Sequence, residues 1–177
     1  MDTIDTKKKI EKTCYIITVL LKISRVVCYV ALGLIASAIV YVALKGDLGP
    51  LFQTGKITVM APVSEEWMEN LSKASIIHIF VVLIIKLILS AVMFGVAGTF
   101  FGDAGREGTP FVMKNVNRLR VVAILYFLVN MFDVSGKEIG DSLSVNLSGL
   151  VGAFIIWGIS YMFEYGSKLQ IESDETL

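Results

Sequence analysis

Val81-Val82-Leu83-Ile84-Ile85-Lys86-Leu87-Ile88-Leu89 sets one lysine among eight large aliphatic residues. No proline or glycine interrupts the run, and its apolar character continues in both directions over 74–101. A helix needs roughly 20 such residues to cross a bilayer. Three further stretches qualify, at 26–44, 121–137 and 145–163. The reading is an all-α integral membrane protein, a four-transmembrane-helix bundle forming one domain over 1–177.

Composition agrees. Of 177 residues, 55% are hydrophobic and 18% are charged, with a mean hydropathy of +0.72. A soluble domain carries about 25% charged residues, so this apolar surplus calls for lipid as its solvent. Disorder, collagen and disulfide scaffolds are excluded. With 16 basic and 16 acidic residues, no net field exists to neutralise phosphates, which excludes a direct nucleic-acid binder. The cysteines are Cys14 and Cys28 and the single histidine is His78. That leaves a metal site without ligands and a hydrolase without a nucleophile, base and orienter. No cofactor and no enzymatic activity are expected.

Basic residues orient the spans. Lys7, Lys8, Lys9, Lys12, Lys22 and Arg25 precede the first, Arg106, Lys114, Arg118 and Arg120 lie in the 102–120 connection, and Lys168 is in the 164–177 tail. Only Lys45, Lys56, Lys73 and Lys137 fall on the other side. Both termini are therefore expected in the cytoplasm of a multi-pass protein. Ala36-Ser37-Ala38 has the small-residue pattern of a signal-peptide cleavage site. The apolar run continues to Leu44, however, which suits an anchor. Acidic residues split accordingly: Asp2, Asp5, Glu11, Asp103, Glu107, Glu164, Glu172, Asp174 and Glu175 inside, and Asp47, Glu65, Glu66, Glu69, Glu138 and Asp141 outside.

The connections differ in kind. The external segment 46–73 reads as a short lid, with a strand at 56–60 and a helix capped by Ser64. On the cytoplasmic side, 102–108 reads as a flexible turn spaced by Gly102, Gly105 and Gly108. Thr109 and Pro110 then read as the start of an amphipathic helix leading into the third span. Val112, Val116 and Leu119 share its apolar face.

Two cytoplasmic motifs carry a resemblance. Gly108-Thr109-Pro110-Phe111, Asn115-Val116 and Arg118-Leu119-Arg120 resemble the "G-x-PF … N-x-x-RLR" stretch of the domain-of-unknown-function 2975 family. Phe163, Gly166, Leu169-Gln170, Glu172 and Asp174-Glu175-Thr176-Leu177 resemble that family's "F-x-x-G-x-x-LQ-x-E-x-D-x-T-(I/L)" tail. With four spans, the likeness covers nearly the whole chain. It implies a small bacterial cell-membrane protein, often encoded beside a small helix-turn-helix regulator. It implies no catalytic residues.

The candidate sites are two. Lys86 lies 14 residues in from Phe100, and Asp133 lies 12 in from Val121. These depths are about 21 Å and 18 Å, so the two suit a buried ion pair with Asn130 as a further acceptor. A lysine at mid-bilayer normally faces a partner inside the protein. The second site is a partner- or lipid-binding face built from Phe111, Lys114, Arg118, Arg120, Glu164, Leu169 and Gln170, with Glu164 in reach of Arg118 or Arg120. Small residues at four-residue spacing (Gly33/Ser37, Ala91/Gly95, Gly98/Gly102, Ser148/Gly152) permit close helix packing, inside the chain by default and in a homodimer as the alternative. The expected function is regulatory or sensory, through a small cytosolic DNA-binding protein. Transport through Lys86 and Asp133, or a structural or immunity role in the membrane, are the other readings.

Overall fold

The computed structural model describes residues 2–45, 73–106, 110–131 and 146–175. They form four helices: α1 (Asp2–Lys45), α2 (Lys73–Arg106), α3 (Met113–Met131) and α4 (Leu147–Glu175). Of these, α1, α2 and α4 are long and apolar enough to cross a bilayer. The described part of α3 has 19 residues and carries Lys114, Arg118 and Arg120 in its first turns. The expected lid with its strand and Ser64 helix, the Thr109 cap and Asp133 lie outside the described residues, as does the side chain of His78.

α1 is one uninterrupted helix of 44 residues, about 66 Å at 1.5 Å per residue. A hydrocarbon core is roughly 30 Å thick, so α1 is twice as long as a crossing requires. Lys22 and Arg25 do not break it, because both are good helix formers. α2 has 34 residues, and it continues as helix through Gly102 and Gly105 to Arg106. The flexible turn expected over 102–108 is thus corrected for 102–106, which is helix. These glycines are packing surfaces: a Cβ on Gly105 would lie 3.1 Å from Cys14 Cβ, and one on Gly102 would lie 3.9 Å from Thr18. Tertiary contact with α1 outweighs the intrinsic helix cost of glycine, about 1 kcal/mol each.

The same seam continues along α2, where Gly98 faces Leu21 and Gly95 faces Arg25. Gly95, Gly98 and Gly102 therefore serve packing between α1 and α2, and Ala91 is buried. A Cβ on Gly33 would meet nothing within 4 Å among the described residues, and Ser37 donates to Leu34 O of its own helix.

α3 packs against α4 by a second set of small residues. Tyr126 occupies the space above Gly152, where a Cβ would lie 2.6 Å from its ring, and Asn130 sits over Gly149. Asn130 also donates to Tyr126 O at 2.8 Å. Asn146 caps α4: its side-chain oxygen accepts from Ser148 N at 3.0 Å, an N-cap bond.

Helix contacts run in chain order, α1 on α2, α2 on α3 and α3 on α4. Among the described residues, the helices form an open series of antiparallel neighbours, and α1 does not pack on α3 or α4. Few side chains are buried, and Val116 and Asn115 are the largest fully enclosed ones. Large apolar side chains face outward along α1, α2 and α4, among them Leu34, Val81 and Phe154. A soluble monomer rarely exposes so large an apolar surface.

Candidate functional site

Antiparallel order brings the C-terminal end of α2, the start of α3 and the C-terminal half of α4 to one end of the array. The N-terminal half of α1 lies there too. Most of the chain's arginines meet at this end, and α3 opens it. Pro110, Phe111 and Val112 precede the helix, which begins at Met113, one turn later than proline placement suggests. The delay has a cause. Phe111 turns onto α4, where its ring lies 5.2 Å from Phe163 and fills the space above Gly166. A Cβ at Gly166 would lie 2.6 Å from the Phe111 ring. Phe163 meets Phe100 at 5.6 Å, and Phe100 meets Phe101 at 5.1 Å, both edge-on. These four rings join α2, the turn before α3 and α4, at roughly 0.5–1.5 kcal/mol per pair beyond area burial.

Asn115 is fully buried and holds the turn together. Its amide donates to Pro110 O at 3.2 Å and its carbonyl accepts from Arg118 at 3.0 Å. Apolar periodicity picks out Val116, which is also fully buried, but passes over Asn115. A side chain that bonds its own turn is the signal for it.

Two carboxylates organise the arginines. Asp103, on the last turns of α2, accepts from Arg118 at 2.6 Å and from Lys114 at 3.1 Å. Arg118 also donates to Thr99 O at 3.3 Å. Glu164, on α4, takes Arg120 at 2.6 Å and Lys168 at 3.1 Å. Of the two arginines expected within its reach, Arg120 is its partner. Arg120 lies over Trp157 at 6.0 Å and Tyr161 at 5.5 Å, and its Nε is buried without an acceptor among the described residues. The hydrogen bond from Arg118, and then that from Lys114, holds the Asp103 carboxyl below the usual carboxylate range. Lys168, and then Arg120, does the same for Glu164.

The structure therefore divides the expected partner face. Arg118 and Arg120 are turned inward and paired with Asp103 and Glu164. Phe111 is half covered by α4. Lys114 and Lys168 keep most of their surface, and Leu169 stands exposed on α4, with Gln170 partly covered. Asp103 is the residue the sequence reading missed. Its flanking glycines made it look like turn, although Gly95, Gly98, Gly102 and Gly105 recur at helical spacing.

Lys86 lies midway along α2 and is partly covered, and Asn130 faces Gly149. Compared with family models, curated proteins and solved structures, the chain gives no match.

Proposed function

We propose that the chain is a non-enzymatic, multi-pass protein of the bacterial cell membrane with both termini in the cytoplasm. Its cytoplasmic face holds a small DNA-binding regulator. The observation that carries this reading is the stitching of the two cytoplasmic motifs: Phe111 on Phe163 and Gly166, and Arg120 on Glu164. That contact anchors the base of α4, and the helix continues past it to Glu175. Twelve residues beyond Phe163 make about 18 Å of helix, long enough to stand clear of the headgroups. Along it Met162, Tyr165 and Leu169 are exposed at i, i+3 and i+7, an apolar stripe of the kind a partner helix or groove accepts. The resemblance noted above supplies the class of partner, and charge asymmetry the orientation.

The test is co-purification of the full chain from its own host with the small helix-turn-helix protein encoded beside it. Tyr165→Asp with Leu169→Asp, or removal of the residues after Gly166, is expected to abolish the association and leave membrane fractionation intact. Association surviving both changes contradicts the proposal.

A further inference from the structure

A cleft of about 240 Å³ lies in the seam between α1 and α2. Lys22, Arg25 and Arg106 line it together with Asp103. Asp103 already accepts from Arg118 and Lys114, so its charge is spent. All four ion pairs among the described residues fall on Asp103 or Glu164. The three cleft cations thus have no carboxylate among those residues, and the cleft is strongly positive.

Arg25 is held in place. Its Nε donates to the Tyr29 hydroxyl at 2.9 Å, with the guanidinium carbon 5.6 Å from that ring's centroid. A terminal nitrogen rests 3.2 Å from where a Cβ on Gly95 would stand. The missing side chain at 95 gives the guanidinium its room. With Nε occupied, the terminal nitrogens remain to donate as a fork, the geometry that suits phosphate oxygens.

Depth points to the source of the phosphate. Arg25 is 19 residues from Leu44, the outer end of the first span. That is about 28 Å of helix, close to the roughly 30 Å thickness of a hydrocarbon core. The Arg25 backbone therefore lies at the inner edge of the hydrocarbon core, from which a long cationic side chain reaches the headgroup phosphates of the inner leaflet, with Lys22 one turn nearer the cytoplasm. Phe94 and Gly98 contribute an apolar side to the cleft.

We infer that the α1–α2 cleft binds the phosphate of an anionic phospholipid in the cytoplasmic leaflet, with Arg25 as its positioned donor and Lys22 and Arg106 as flanking cations. The inference rests on bilayer insertion as proposed above, and is independent of the partner at α4. It moves lipid recognition from Lys114, Arg118 and Arg120 to Lys22, Arg25 and Arg106, which have no carboxylate partner among the described residues.

The experiment is native mass spectrometry of the full chain titrated with phosphatidylglycerol, and separately with phosphatidylcholine. Arg25→Gln with Arg106→Gln is expected to weaken phosphatidylglycerol binding roughly thirty-fold, about five-fold for each charge removed near the surface. Gly95→Val, which keeps every charge and fills the room beneath Arg25, is expected to weaken it as well. Lys9→Gln with Lys12→Gln removes two charges from an exposed stretch of α1 and is expected to preserve it. Equal weakening in the Lys9/Lys12 and Arg25/Arg106 variants, or no preference over phosphatidylcholine, overturns the site. Inorganic phosphate that binds alone with the same variant sensitivity overturns the lipid as its source. Wild-type protein that fails to fractionate with membranes defeats the insertion reading instead; protein that fractionates but holds no phosphatidylglycerol defeats only this one.

Discussion

Asp103 and Glu164 each bind two cations and each titrates below its ordinary range. A carboxylate whose pKa is lowered on folding stabilises the fold above its unfolded value. That contribution disappears as pH falls through the lowered one. Ordinary carboxylates titrate at about 3.9 to 4.3, so the protein in detergent is expected to lose thermal stability progressively below about pH 4. Asp103→Asn removes part of this. Its melting temperature is expected to be lower than wild type at neutral pH, with a shallower fall on acidification, both measurable by circular dichroism. An unchanged acid limb would show that Asp103 is not a source of it. Gly149 and Gly152 make the other prediction at this scale. An added methyl at Gly149 would collide with Asn130 Cβ, and one at Gly152 would lie 2.6 Å from the Tyr126 ring. Either Gly→Ala change is expected to cost about 1–3 kcal/mol by overpacking, read as a lower melting temperature. Gly33→Ala, with nothing within 4 Å, is expected to cost nothing.

α1 and α2 meet along glycines, and Cys14 lies opposite one of them, Gly105. Gly105→Cys puts a thiol opposite Cys14, with a Cβ separation of 3.1 Å before adjustment. Disulfides span about 3.5–4.5 Å between Cβ atoms, so a small shift allows the bond. Mild oxidation is expected to crosslink 14 to 105 within one chain, seen as faster migration without reductant. Gly33→Cys is expected to form no such link. Helices were legible in the sequence because long apolar runs have few alternatives in a bilayer. Their extents were less so. Lys22 and Arg25 look like a boundary, yet helix propensity and the facing α2 carry α1 through them. Gly102 and Gly105 look like breakers, yet a neighbouring helix turns them into contact surface, which is why Asp103 was passed over. Glu164 was legible as a partner for an arginine of the third-span motif, because both lie at the same end of antiparallel spans. Which arginine it takes depended on rotation about the helix axes. Lys86 with Asp133 remains a prediction from depth alone: Lys86→Met and Asp133→Leu are each expected to lower membrane expression, and together to restore it. A double variant no better than either single one contradicts the pair.

At the scale of the molecule, the absence of net charge hides an arrangement. Seven of the cations that precede, connect or follow the spans (Lys22, Arg25, Arg106, Lys114, Arg118, Arg120 and Lys168) gather at one end of the helices. There two carboxylates engage four of them, and three line a cleft. Along α1, α2 and α4 the outward faces expose aliphatic side chains suited to lipid. Orientation in the membrane is the claim on which the partner at α4 and the lipid in the cleft both depend. It is tested most directly by labelling single cysteines in intact cells with a membrane-impermeant maleimide, after Cys14→Ser and Cys28→Ser. Cysteines at Lys12 and Glu172 are expected to label only after lysis, while one at Glu65 labels at once. Labelling of Lys12→Cys or Glu172→Cys in intact cells would contradict the account.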